Sequence, residues 1–414
     1  MEGLINGGTA TAALNSDKGA MAASARCREA AVDWAGYRSL IDELCQAALH
    51  PGATVAKTIR DTGKKAVGCF PIYTPEEILY AAGFVPVGIW GGKTGLCLAD
   101  KYLQSFCCSI MRSNLEYGMK GAYDMLAAVV IPAFCDTLKC MCENWKAAVP
   151  QIPVIPVVYP QNRDLEAGFA YLTAELKRVK GEAERIGGCT VTEQELQGAW
   201  ELYETYRAAM REFTRMAADY PKIFNAKTRH LLIKAGWFMD KADYIAKIAA
   251  IMKGVRQEEE KKETKEGFDG IRVIATGLMA EPVELLSILE ENGIAVAGDD
   301  LAQESRQFRV SGRAEGDVWQ RMAWRTVDQR GCAFLYEERK TRGQMLIQMV
   351  REKQARAVVV FMMKFCDPEE FDYPIYKQEL EEAGIPILYL EVDQQLDSFE
   401  QMRTRIQSFA EMCL

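Results

Sequence analysis

The feature that most constrains this chain is a rhythm of short apolar runs, each followed by helix-forming residues, that occurs in two separate series. In the first series "KKAVGCFPIY" (64–73), "FVPVGIWG" (84–91), "MLAAVVIPAFC" (125–135) and "PVIPVVYP" (153–160) read as buried strands. In the second, "IRVIATG" (271–277), "IAVAGDD" (294–300), "ARAVVVFMMKFC" (355–366) and "IPILYLEVD" (385–393) do the same. Strands separated by helices imply a parallel sheet, because a parallel neighbour needs a long crossover. The spacing predicts helices over 30–50, with Trp34, Leu40, Ile41 and Leu44 as apolar positions, and over 103–119. In "TPEEILYAAG" (74–83), Thr74 is a plausible N-cap, Pro75 opens the helix, Glu76 and Glu77 fill its first turn, and Gly83 ends it. From about Asp164 to Gly254 the pattern is charged and helical, and "EEEKKETKEG" (258–267) is a solvated run. The expected fold is α/β: two doubly wound parallel-sheet units with a helical segment between them. The expected boundaries are a flexible lead-in over 1–29, an N-terminal α/β domain over 30–163, a helical segment and linker over 164–267, and a C-terminal α/β domain over 268–414.

A chain of 414 residues is too long for one ordinary core. Its formal charge of −8 argues against a general nucleic-acid binder, which needs a basic face. No run approaches the roughly 18 consecutive apolar residues of a membrane span, and the first residues are small and polar rather than a signal core. The expectation is a cytoplasmic protein without a membrane or nucleic-acid partner, its thiols reduced. Thirteen cysteines then stand out against two histidines, His50 and His230. Any metal site would be sulfur-rich.

Three cysteine positions share one context. Cys135 and Cys366 each end an apolar run and are followed by aspartate, and Cys107 and Cys108 lie on or just before a helix. Parallel strands present their carboxyl ends to a crevice where ligands bind, so cysteines from both halves could converge there. Taken singly, each reads better as a small buried hydrophobe, and it is the shared placement that favours a site. A rival is "CDTLKCMC", whose Cys135, Cys140 and Cys142 could hold zinc with Cys107 or Cys108, although the spacing departs from paired C-x₂₋₄-C knuckles. "GGKTG" (91–95) resembles a phosphate loop, but Val87 stands where that pattern needs glycine, and an ordinary turn is the better reading. Neither G-x-G-x-x-G nor G-x-S-x-G is present. Glu76 reads as a helix-dipole residue, and Glu77 as either that or a general base.

At "GCFPIYTPEEILYAAGFVPVGIWG", "CCSIMRSNLE", "CDTLKCMCENW" and "MKFCDPEEFDYPIYKQELEEAGIPILYLEVDQ" the sequence resembles a subunit of the 2-hydroxyacyl-CoA dehydratase family, whose members include relatives that reduce benzoyl-CoA. The resemblance runs from about residue 60 to the end, and the last motif is more similar to the α-type subunit than to its β partner. It implies a [4Fe–4S] cluster held by three cysteines, with one iron position open. Carried over by motif, the ligands would be Cys108, Cys135 and Cys366, with the Cys107–Cys108 doublet ambiguous by one residue. It also implies a homologous second subunit, an ATP-dependent iron–sulfur activator protein and a 2-hydroxyacyl-CoA substrate. Glu77 would be the base or position the substrate, and Tyr73 and Ser109 would hydrogen-bond near the open iron; Arg112, Lys93 and Arg339 are candidates for the CoA phosphates.

The chemistry explains why such a family needs an electron. The C3 proton of a 2-hydroxyacyl thioester is not beside the carbonyl and is very weakly acidic. Adding one electron to the carbonyl gives a ketyl that expels hydroxide from C2. The resulting enoxy radical has an acidified C3–H, and after deprotonation the electron returns. The reading is therefore a lyase subunit of an anaerobic, amino-acid-fermenting heterodimer. Its rivals are a benzoyl-CoA-reductase-type subunit and a zinc-stabilised scaffold that makes no product.

Overall fold

The computed structural model describes residues 36–261 and 267–413. The expected lead-in over 1–29, Trp34 and part of the charged run at 258–267 lie outside those residues. The first unit contains α1 (Gly36–Leu49), α2 (Pro51–Thr62), β1 (Ala66–Cys69), α3 (Glu76–Ala81), β2 (Val85–Gly88), α4 (Ser109–Met119), β3 (Leu126–Pro132), α5 (Asp136–Ala148) and β4 (Val154–Val157). Four helices follow: α6 (Glu166–Gly187), α7 (Glu193–Asp219), α8 (Ala226–Ala235) and α9 (Lys241–Glu260). The second unit has β5 (Ile271–Gly277), α10 (Val283–Glu291), β6 (Ile294–Leu301), α11 (Val318–Val327), α12 (Arg342–Glu352), β7 (Ala357–Met363), α13 (Asp367–Glu382), β8 (Ile387–Val392) and α14 (Glu400–Cys413).

Both sheets are parallel throughout, ordered β2-β1-β3-β4 and β6-β5-β7-β8. The chain winds one way from β1 to β2 and the other way from β1 to β3. Such a reversal leaves a crevice beyond the carboxyl ends of the two central strands. The central strands are buried along nearly their whole length, as sheets covered by helices on both faces require. At the end of β5 the backbone of Gly277 runs so close to β7 that a Cβ would lie 2.1 Å from the Phe361 carbonyl oxygen; with φ at 131°, only glycine fits.

The long helices do more than join the units. α7 starts from a capping box in which Thr192 and Glu195 each bond the other's backbone N–H. Its Trp200, with Leu172 and Leu176 of α6, closes one face of the first sheet, and Trp319 and Met322 of α11 enter the same core. A helix from the second half thus completes the packing of the first.

Local differences from the sequence expectation are small. Thr74 does not cap α3; its hydroxyl donates to the Phe70 carbonyl at 3.0 Å, and Pro75 occupies the cap. Residues 103–108 are not α-helical, so α4 begins at Ser109. Cys135 and Cys366 lie three residues beyond the ends of β3 and β7 and cap the helices that follow.

Candidate functional site

One cavity touches Cys108, Cys135 and Cys366 together. Its volume is only about 30 Å³, and it is otherwise lined largely by apolar groups such as Ile72, Met111, Leu278 and Phe334. Each cysteine is the N-cap of a helix: Cys108 of α4, Cys135 of α5 and Cys366 of α13. Three helix N-termini therefore point their unsatisfied N–H groups and positive dipole ends at one space. The Leu138 N–H donates to Cys135 Sγ at 3.4 Å. The N–H groups of Leu138 and Thr137 favour the Cys135 thiolate, those of Met111 and Ile110 the Cys108 thiolate, and that of Glu369 the Cys366 thiolate. The absence of a second donor for Cys366 has a simple cause: Pro368 stands at the second helical position of α13 and has no N–H.

Against these donors stands burial. It pushes the Cys108 thiol up to about 12, raises Cys135, and carries Cys366 well above the usual thiol range, with Glu369 and Cys108 adding to the effect on Cys366. Without a cation the sulfurs stay protonated, and binding metal would expel those protons. Among the described residues no three Cys, His, Asp or Glu side chains close on one point as the ligands of a single ion would. The three thiols instead line one wall system from different sides. A donor set of thiols alone, with peptide N–H groups directed at the sulfurs and an apolar lining, is what an iron–sulfur cluster takes.

The cysteine doublet separates cleanly. Cys108 lines the cavity and Cys107 does not; Cys107 is buried with its Sγ 4.0 Å from the Thr137 hydroxyl. The zinc arrangement does not form among Cys135, Cys140 and Cys142: Cys140 is exposed, while Cys142 turns inward to within 3.9 Å of the Ile131 carbonyl oxygen. In "GGKTG" the Gly91 and Gly92 N–H groups are taken by Asn114 Oδ1 and Ser113 Oγ, which leaves a turn and no phosphate cradle.

None of the other expected site residues lines the cavity. Ser109 follows Cys108, but its hydroxyl is engaged by the Gln394 N–H at 3.1 Å and Met363 Sδ at 3.4 Å. Tyr73 lies behind Pro71 and Ile72, which do line it; its hydroxyl accepts from Gln329 Nε2 at 2.9 Å, and burial with Cys332 nearby pushes its pKa far up. Glu77 is in a different environment. It is 2% exposed and accepts from Arg207 at 2.6 Å, with Arg325 at 3.9 Å. Burial raises its carboxyl, but the two guanidiniums outweigh that and hold it below the usual range. Of the CoA-phosphate candidates, Arg112 pairs with Asp100 and Lys93 with Asp397, and Arg339 is exposed.

Residues 71–413 match the model of the 2-hydroxyglutaryl-CoA dehydratase D-component family. The chain is 42% identical over 362 residues to the (R)-phenyllactyl-CoA dehydratase beta subunit of Clostridium sporogenes, covering 87% of this chain and 95% of that one. It is 43% identical over 377 residues to the lactoyl-CoA dehydratase subunit beta of Anaerotignum propionicum, covering 90% and 98%. With the (R)-2-hydroxyglutaryl-CoA dehydratase subunit beta of Acidaminococcus fermentans it shares 36% over 380 residues, again 90% and 98%. The chain belongs to the 2-hydroxyacyl-CoA dehydratase family. It is a dehydratase subunit, a hydro-lyase by class, with a partner subunit implied. Where the sequence suggested an α-type subunit, these three relatives are each a beta subunit.

One part of this dehydratase subunit escaped the sequence reading. Behind Cys366, the Glu369 carboxylate accepts from Arg306 at 2.7 Å and pairs with Arg342 at 2.8 Å, and both guanidiniums also pair with Asp300 at the end of β6. All four side chains are buried. The lattice ties the first turn of α13, and with it Cys366, to the sheet. Its members lie up to 69 residues apart, by the difference of 369 and 300, and no local pattern announces them.

Proposed function

We propose that this chain is the β-type subunit of a two-subunit dehydratase that removes water from a 2-hydroxyacyl-CoA to give the 2-enoyl-CoA. In this reading Cys108, Cys135 and Cys366 hold a [4Fe–4S] cluster with one iron position open. The observation that carries it is the convergence of three cysteine-capped helix N-termini on one cavity. When bound, such a cluster supplies a Lewis-acidic iron and a one-electron relay of tuned potential.

The chain's own residues provide the environment. The peptide N–H groups of α4, α5 and α13 offset negative charge gathered on the thiolates. Ile72, Leu278 and Phe334 keep bulk water from the lining. Overall the reaction is redox-neutral: the C2–O bond breaks with hydroxide leaving, a C3 proton is lost, and the initiating electron is returned. That electron would come from an ATP-dependent iron–sulfur activator, in the cytoplasm of an anaerobe that ferments amino acids. Phe106, 66% exposed beside Cys107, and Phe371, 80% exposed on α13, present apolar surface of the kind a second subunit covers. No helix among the described residues is long and apolar enough to cross a membrane.

Anaerobic purification with iron and acid-labile sulfide analysis tests the cluster. Cys108→Ala is expected to lose both, and Cys107→Ser to keep both; the reverse pattern, or zinc without sulfide, would sink the assignment. A panel of 2-hydroxyacyl-CoA thioesters, assayed with partner and activator, tests the reaction. Turnover without stoichiometric consumption of reductant separates dehydration from ring reduction.

A further inference from the structure

Of the three cysteines, Cys366 has the surroundings least favourable to negative charge. Its helix gives it one favouring N–H, where Cys108 and Cys135 each have two. Further along the same first turn of α13 stands the carboxylate of Glu369, which is fully buried. Its charge acts on the Cys366 sulfur and opposes the gathering of more negative charge there.

The lattice behind α13 keeps that carboxylate ionised. Burial raises the Glu369 carboxyl, but Arg306 and Arg342 outweigh the effect and hold it below the usual range. Arg306 donates to it at 2.7 Å, and Arg342 pairs with it at 2.8 Å. Neither guanidinium serves Glu369 alone. Arg306 also meets Asp300 at 3.0 Å, and Arg342 meets Asp300 at 2.9 Å and Asp372 at 3.3 Å. At the edge of the lattice Arg309 pairs with Asp300, and Lys340 with Asp372 at 3.1 Å. Two buried cations are thus shared among three carboxylates, and Glu369 is the one on the helical turn of the cysteine. Desolvation makes a buried ionic lattice a poor source of stability in itself. Fixed charge beside a reactive centre is one reason for a fold to carry it.

We propose that Glu369 lowers the reduction potential of the centre held by Cys366, acting through that cysteine, while Arg306 and Arg342 fix its charge in place. The inference rests on the cluster reading above and deepens it. A fixed anion near a redox centre opposes the addition of an electron, and cluster potentials follow net charge and the hydrogen bonds at the sulfurs. A thioester carbonyl is a poor electron acceptor, so its donor must hold the electron at low potential. Glu369 is a positioning residue in this scheme and touches no substrate.

Anaerobic redox titration of the purified full chain, with iron and acid-labile sulfide measured on every sample, tests it. Glu369→Gln keeps the shape and removes the charge. At a fixed ambient potential its ratio of reduced to oxidised centre should rise about tenfold, a shift of ~59 mV in a one-electron couple. Arg306→Gln removes a cation and leaves Arg342 to hold Glu369, so its ratio should fall. Opposite shifts mark an effect of charge, because loosened packing or entering water would move both variants the same way. Glu369→Asp retains the charge and should stay close to the unaltered chain. Should one of the two glutamine variants fail to bind iron, the sign of the other decides. Shifts of one sign in both, an unmoved potential in Glu369→Gln at full iron content, or loss of iron from both would overturn the proposal. An unaltered chain without iron and sulfide would instead sink the cluster reading itself, and the proposal with it.

Discussion

At the scale of single residues, Glu77 and the cysteine doublet show what a sequence can and cannot reveal. Replacing Glu77 by Gln leaves the buried Arg207 beside Arg325 with Glu204 as its remaining carboxylate, and breaking a buried ion pair costs up to about 3–5 kcal/mol. Denaturant unfolding at neutral pH should show that loss. Because the folded carboxyl titrates below the usual 4.5, its contribution is fully present above that value and fades as pH falls through the folded one. The deficit of Glu77→Gln should therefore shrink in acid. Full turnover per iron in the variant excludes Glu77 as the base, whereas lost turnover with unchanged stability would favour that role over the ion pair. The partners of Glu77 lie 130 residues away at Arg207 and further still at Arg325, so local sequence carried no sign of them. The cysteines were more legible, since an abrupt change from apolar run to Cys-Asp marks a chain reversal. Only the backbone shows that Cys108 lines the cavity and Cys107 does not, because adjacent residues at a helix entry point to different sides.

At the scale of elements, the two parallel sheets were readable because each apolar run is followed by helix-forming residues. The strand ends were read about three residues too long, since the turn residues Phe134 and Phe365 are themselves apolar. Phe365 takes a φ of 62°, uncommon for a large side chain, in the turn that leads to Cys366. The comparison of α5 with α13 yields a prediction. Cys135 is favoured by two first-turn N–H groups and Cys366 by one, because α13 has Pro368 where α5 has Thr137. Thr137→Pro copies that natural arrangement and should leave the helix intact while removing one donor. If iron is bound as proposed, loading should be retained and the midpoint potential should fall by roughly 40 mV, one hydrogen bond of ~1 kcal/mol in a one-electron couple. Anaerobic redox titration measures it. An unchanged potential would mean that these N–H groups do not act on the bound centre.

At the scale of the whole molecule, the site belongs to neither unit alone. Cys108 and Cys135 stand on helices of the first unit and Cys366 on a helix of the second, and α11 packs from the second half into the core of the first. A ligand gripping all three sulfurs would bind only when both units are folded and docked, so its binding free energy stabilises the joint structure. Anaerobic removal of iron should lower the melting temperature of the whole chain rather than of one transition within it. Each kcal/mol lost would lower it by about 2–4 °C, the scale for domains of 150–250 residues. Cys366→Ala should start at the lower value and not respond to the chelator. A chelator effect that persists in this variant would place the metal on residues of the first unit alone, and the second unit would then have no part in holding it.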